Sequence, residues 1–193
     1  MRPQQTVTRP GVPIPDCRAG QGRAWDRAGG EVITYAAPMS IGKGDTAPDF
    51  ELPDQDGTPR RLTDLLADGP VVLFFYPAAM TRGCTAEACH FRDLAAEFRA
   101  AGVQRVGISK DPVEKQKQFA DAHTFDYPLL SDPGSETIAA YGVKRKLSLG
   151  ALSTKRMTFV IGTDRKILDV IHSELDMNQH AAQALSVAAA AKS

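Results

Sequence analysis

The sequence predicts an α/β protein in which a central mixed β-sheet is flanked by helices. Pro70-Val-Val-Leu-Phe-Phe-Tyr76 is too continuous in β-branched, aromatic and aliphatic residues for a strand with one wet face, so it reads as a central strand buried on both sides. Strand patterns and helix-period patterns then alternate, the arrangement that favours parallel strands with crossover helices. Near the C-terminus, Met157–Ile161 and Lys166–His172 are two strand patterns joined by Gly162-Thr-Asp-Arg165, close enough for a hairpin that adds antiparallel edges.

Taken in order, Asp49-Phe-Glu-Leu52 followed by Asp54-Gln-Asp-Gly57 predicts a short strand and a turn, because Asp-Gly supplies turn chemistry. Leu62–Leu66 predicts a short helical turn opened by Thr63. After the central strand, Phe91, Leu94, Ala95 and Phe98 give one apolar face to a single helix that Gly102 ends. Val103–Ser109 is a second core strand. Asp111-Pro112 then predicts a helix start, with Asp as N-cap and Pro at the first helical position. A strand at Tyr127–Leu130, a helix at Ser135–Tyr141 stopped by Gly142, the hairpin, and an Ala-rich helix from about Met177 complete the chain. This order is the thioredoxin-like arrangement with an extra N-terminal element.

Residues 1–38 differ from the rest. They hold five prolines, five glycines and five arginines with little apolar periodicity, so they lack the means to offset the entropy of ordering. They also lack the apolar core of a secretory signal. The expected organisation is a disordered extension over 1–38 and one domain over 39–193, Met39 itself being a plausible start. Over the whole chain of 193 residues, 42% apolar content supports a real core, and a formal charge of zero argues against nucleic acid as partner. No apolar run approaches the roughly 20 residues of a membrane helix. Three unevenly placed cysteines, Cys17, Cys84 and Cys89, do not make a secreted disulfide framework, so a cytoplasmic protein is expected.

Two of those cysteines raise the chemical question. Cys84 stands where the central strand turns into a helix, where free backbone N–H groups and the helix dipole favour an anion. A thiol of pKa about 8.5 is roughly 3% thiolate at pH 7, whereas one near 6 is roughly 90%. The dipole's about 0.3–1 kcal/mol moves a pKa by less than one unit, so a further cation or donor is required. Arg82 is near in sequence, and Arg156 precedes a strand that this topology could bring beside the site. Cys89, five positions on, lies about 500° around a helix and roughly 7.5 Å along it. That exceeds the roughly 7 Å Cα separation a disulfide tolerates, so a bridge demands local unwinding. A zinc site is disfavoured, because Cys84, Cys89 and His90 have the wrong spacing and no second pair. Two inert buried thiols remain open as a reading, and a C-x-x-C redox motif is absent.

Pro77-x-x-x-Thr81-x-x-Cys84 resembles the peroxidatic motif of peroxiredoxins, and Cys84-Thr-Ala-Glu-Ala-Cys89-His-Phe-Arg-Asp93 is similar to the bacterioferritin comigratory protein, or peroxiredoxin Q, subfamily. Gly44-Asp-Thr-Ala-Pro-Asp-Phe50, Gly107-Ile-Ser109 and Arg156 before Thr158-Phe-Val-Ile161 extend the resemblance from about Ile41 to the C-terminus. It implies a thiol peroxidase for hydrogen peroxide and organic hydroperoxides. Cys84 would become a sulfenic acid, Thr81 would hydrogen-bond thiolate and peroxide, Arg156 would supply the cation and Pro77 would wall the pocket. Cys89 would condense with the sulfenic acid to an intrachain disulfide, reduced by thioredoxin or a similar dithiol. No metal, haem or flavin is implied, and an intrachain resolving cysteine is compatible with a monomer. The departure is Ala78-Ala79-Met80 and Arg82, where the family usually has acidic or polar residues and a proline; Arg82 either lowers the Cys84 pKa or points into solvent. His123 and His172 are expected to be structural, His180 to lie on the last helix, Asp111, Asp132 and Asp164 to cap or turn, and Lys144-Arg-Lys146 to be a solvated basic loop. A general disulfide oxidoreductase and a non-enzymatic redox sensor are the competing functions.

Overall fold

The strand β3 (Val71–Phe75) is the middle of a five-stranded sheet, and its side chains define the two halves of the core. The computed structural model describes residues 41–145, 153–173 and 176–191. The extension expected over 1–38, with Cys17, lies outside them. Before β3 come a small antiparallel hairpin, β1 (Glu51–Pro53) and β2 (Pro59–Arg61), and the helix α1 (Leu62–Ala67). After it follow α2 (Arg82–Asp93), α3 (Ala95–Ala100), β4 (Gln104–Ser109), α4 (Val113–His123), β5 (Leu129–Ser131) and α5 (Glu136–Ala140). The hairpin β6 (Met157–Ile161) and β7 (Ile167–His172) precedes the terminal α6 (Met177–Ala190).

The sheet order is β5-β4-β3-β6-β7, with β3, β4 and β5 parallel and β6 and β7 antiparallel. This is the thioredoxin-like mixed sheet that the element order predicts. Because strand side chains alternate, Val72, Phe74 and Tyr76 enter one apolar cluster with α2, α4 and α6, and Val71, Leu73 and Phe75 enter another with α1 and α5. Phe74 stacks on Phe91 of α2 with ring centroids 4.3 Å apart, which fixes that helix on the sheet. Gly107 makes room for the stack: a Cβ there would sit 2.8 Å from both the Phe74 ring and Leu129. Ala181, Ala184 and Ala188 are fully buried, so α6 lies close against α2 and the sheet.

Three local expectations are corrected. The helix predicted as one piece breaks at Leu94 into α2 and α3. Arg105 Nη1 donates to the Phe91 carbonyl, 2.8 Å away, the acceptor that the next turn's N–H would otherwise use. Thr63 does not open α1, whose N-cap is Arg61. Likewise Pro112, with ψ 162°, is the N-cap of α4, and Asp111 is engaged elsewhere.

Candidate active site

Chain reversal at the end of β3 delivers the site. Pro77, Ala78 and Ala79 are buried, and Met80 takes φ +68° while its side chain is exposed. That left-handed conformation costs a residue with a Cβ about 1–2 kcal/mol, so the loop needs anchoring. Asp111 provides it: its buried Oδ2 accepts from the Ala79 N–H at 2.7 Å and from Ser109 Oγ at 2.8 Å, while Oδ1 accepts from Lys115 Nζ at 2.7 Å. Sequence reasoning placed Asp111 as a helix cap. An acceptor next to a serine at a strand end serves either purpose, and only the fold brings Ala79 within reach.

Thr81 is the N-cap of α2 through its backbone, and its carbonyl accepts from the Thr85 N–H at 2.8 Å. The Thr81 hydroxyl donates to the Ala78 carbonyl at 2.9 Å. With its single proton committed there, the oxygen faces any other partner as an acceptor. Arg82 is the first residue of α2 and is exposed.

Cys84 is the third residue of α2, 2% exposed, and belongs to the apolar cluster under α2 and α6. Arg156 Nη2 donates to its Sγ at 3.3 Å. The two residues are 72 positions apart, and sheet pairing brings them together: Phe75 pairs with Met157, so Arg156 falls opposite the end of β3. The Lys155 N–H bond to the Val143 carbonyl, 2.8 Å, fixes the approach. A Cβ on Gly83 would lie 3.3 Å from Arg156 Nη2, so the glycine gives the guanidinium its place.

Arg156 also donates through Nη1 to Glu87, a fully buried carboxylate one helical turn after Cys84. Burial works against the charge of Arg156, yet Glu87 and then Cys84 outweigh it and raise the guanidinium's pKa, so the cation persists. Behind Glu87 stands His180 of α6, fully buried, with Nδ1 3.7 Å from Glu87 Oε1 and 2.9 Å from Thr158 Oγ1. The other ring nitrogen, Nε2, is 2.8 Å from the Ser173 carbonyl and therefore carries a proton, since a carbonyl only accepts. Sequence reasoning gave Glu87 and His180 no chemistry. The available signal was a carboxylate at i+3 from Cys84, on the face of α2 that turns to the core.

Cys89 shares the unbroken helix α2 with Cys84 and is half-buried, packed against the same apolar cluster, and both thiols are free. Of the other three histidines, His90 follows Cys89 on α2 and is half-buried, the His123 ring packs edge-on against Phe119 and stacks with Phe125, and His172 is exposed on β7. Among the described residues no group of three or more His, Cys, Asp or Glu is placed to hold a metal, and no helix is long and apolar enough to cross a membrane.

Cys84 thus stands in the first turn of a helix, in contact with a guanidinium that a buried carboxylate also holds. Residues 43–170 match the AhpC/TSA family. The crystal structure of peroxidoxin BcpB from Mycobacterium tuberculosis is similar at 62% identity with a TM-score of 0.75, covering 79% of this chain and 99% of that one. Peroxiredoxin Bcp of Escherichia coli is 40% identical over 140 residues, which is 71% of this chain and 89% of its own. A solved bacterioferritin comigratory protein of Xanthomonas campestris matches at 26% identity and a TM-score of 0.68, over 75% of this chain and 92% of that one.

Proposed function

Because this chain belongs to the AhpC/TSA family and is a peroxiredoxin of the bacterioferritin comigratory and peroxiredoxin Q group, a thiol peroxidase, we propose that Cys84 is its peroxidatic sulfur and Cys89 its resolving one. The observation that carries this assignment is the 3.3 Å contact between Arg156 Nη2 and Cys84 Sγ at the start of α2.

The Cys84 thiolate attacks the terminal oxygen of the peroxide, the O–O bond breaks, and Cys84 becomes a sulfenic acid. The departing alkoxide or hydroxide takes a proton from solvent and leaves as an alcohol or water. Arg156 stabilises the negative charge as it passes from sulfur to the leaving oxygen. Thr81, with its proton given to Ala78, accepts from the hydroperoxide O–H and orients it. Pro77, buried at the strand end, keeps bulk water from the sulfur. Cys89 then condenses with the sulfenic acid, forming the disulfide and releasing water, and a dithiol such as thioredoxin restores both thiols.

Hydrogen peroxide and organic hydroperoxides are the substrates, in keeping with the alkyl peroxide reduction activity named for the Xanthomonas relative. The enzyme works in the cytoplasm as a monomer, since the resolving thiol is in the same chain. Thiol titration and peptide mapping after one equivalent of peroxide test the reading. A Cys84–Cys89 linkage is expected; two surviving free thiols refute it.

A further inference from the structure

Both cysteines lie in α2, but the two halves of that helix are held by different chemistry. The first half is tied through the reacting group itself: Arg156 contacts Cys84 Sγ and Glu87. The second half is tied through backbone carbonyls. The buried Tyr127 hydroxyl donates to the Ala88 carbonyl at 2.7 Å, on the peptide that carries the Cys89 N–H. Arg105, 8% exposed, donates to the Phe91 carbonyl and holds Asp126 with two bonds of 3.0 and 2.9 Å. Its guanidinium also lies 5.1 Å from the Tyr127 ring centroid, so the two anchors brace each other. The peroxide step has no use for either residue.

Oxidation distinguishes the two sets of ties. A sulfenic acid is neutral, so the charge-assisted bond between Arg156 and sulfur weakens once Cys84 has reacted. The bonds to the Ala88 and Phe91 carbonyls are indifferent to the state of sulfur. Releasing them would strand the buried Tyr127 hydroxyl and cost the Arg105 guanidinium, still paired with Asp126, one of its acceptors. Burial also raises the Tyr127 pKa well above its ordinary value, which keeps the hydroxyl a donor.

We propose that Tyr127 and Arg105 are positioning residues for the resolving step, holding Cys89 stationary so that unwinding is confined to 82–87 and Cys84 travels to it. This rests on Cys89 being the resolving thiol. Once 82–87 is released, the Cys84 Cα is free to come within the roughly 4.4–6.8 Å that a disulfide needs. Confinement also shortens the search, because only one of the two sulfurs moves.

Hydrogen exchange on the full chain, reduced and after one equivalent of peroxide, tests this without any substitution. Amides of residues 85–89 should lose protection in the disulfide form, while those of residues 92–94, whose acceptors are the carbonyls of residues 88–90, stay protected. In Tyr127→Phe, the ratio of the disulfide-forming rate to the peroxide rate should fall about fivefold, the effect of losing one buried hydrogen bond. Exchange should then spread to residues 92–94, and sulfinic Cys84 should accumulate at lower peroxide. If the disulfide forms but residues 92–94 open together with 85–89, or if Tyr127→Phe resolves faster, this inference is overturned and the function of Cys89 stands. If the wild-type chain forms no Cys84–Cys89 bond, both are overturned.

Discussion

Cys84 and Cys89 are five residues apart in one helix, yet their surroundings are opposite. Cys84 is buried at the helix start with a guanidinium 3.3 Å from its sulfur. Cys89 is half-buried against apolar side chains, on a stretch pinned by Tyr127 and Arg105. Placement in the fold, more than the thiol itself, separates the proposed nucleophile from the proposed resolving thiol. A cation contacts one sulfur, and carbonyls bonded by Tyr127 and Arg105 flank the other.

The largest effect should come from removing either thiol, and the two outcomes should differ in kind. Cys84→Ser should abolish peroxide consumption, whereas Cys89→Ser should still consume about one equivalent before stalling in a thioredoxin-coupled assay. A full steady rate from Cys89→Ser would erase the distinction between the two sites. Next is the cation. Arg156→Met should slow the peroxide step by about 10²–10³-fold, the usual cost of a lost transition-state donor. It should also lower stability by about 3–5 kcal/mol in urea unfolding, because buried Glu87 loses its guanidinium partner. Adding Glu87→Leu should recover stability and leave the rate low. Alkylation of Cys89 in the same variants should be little changed, which sharpens the contrast.

A smaller effect is expected at Asp111→Ala, which strips the Ala79 N–H of its acceptor: about 1–3 kcal/mol of stability and a slower peroxide step. Equal slowing of disulfide formation would show that the loop serves both sulfurs. The smallest effect concerns pH. Burial raises the pKa of Tyr76, near Cys84, and of Tyr127, near Cys89, above the ordinary value of about 10. A group whose folded pKa is raised contributes stability that is complete below its unfolded pKa and is lost as pH climbs past it. Urea midpoints should therefore hold through neutral pH and fall from about pH 10 upward. Tyr127→Phe should show a shallower fall.

The strands, their order and the Cys84–Arg156 pairing were legible because they rest on local apolar runs and on motifs that survive in one dimension. The sulfur's need for a cation followed from the weakness of a helix dipole, and the topology then left Arg156 well placed. Glu87, His180 and Asp111 were not legible as site residues. Each is a buried polar group whose partner comes from another element: Arg156 on the approach to β6, Thr158 in β6, and the loop after β3. Periodicity marks which face is buried and says nothing of which acceptor will meet which donor across it. The break at Leu94 was hidden for the same reason, since it follows from Arg105 claiming a carbonyl of α2.

The pairing of β6 with β3 also sets a schedule. Cys84 leaves the ribosome 72 residues before Arg156, and α6, which closes over Glu87, comes last. At about 5–20 residues per second, the nascent thiol spends seconds without its cation. During that interval it has only the reactivity of an unassisted cysteine. With Cys84 and Arg156 in the roles proposed for them, the protein becomes able to meet peroxide when its final strands and helix dock, so half-made chains are spared the oxidation that the finished one invites.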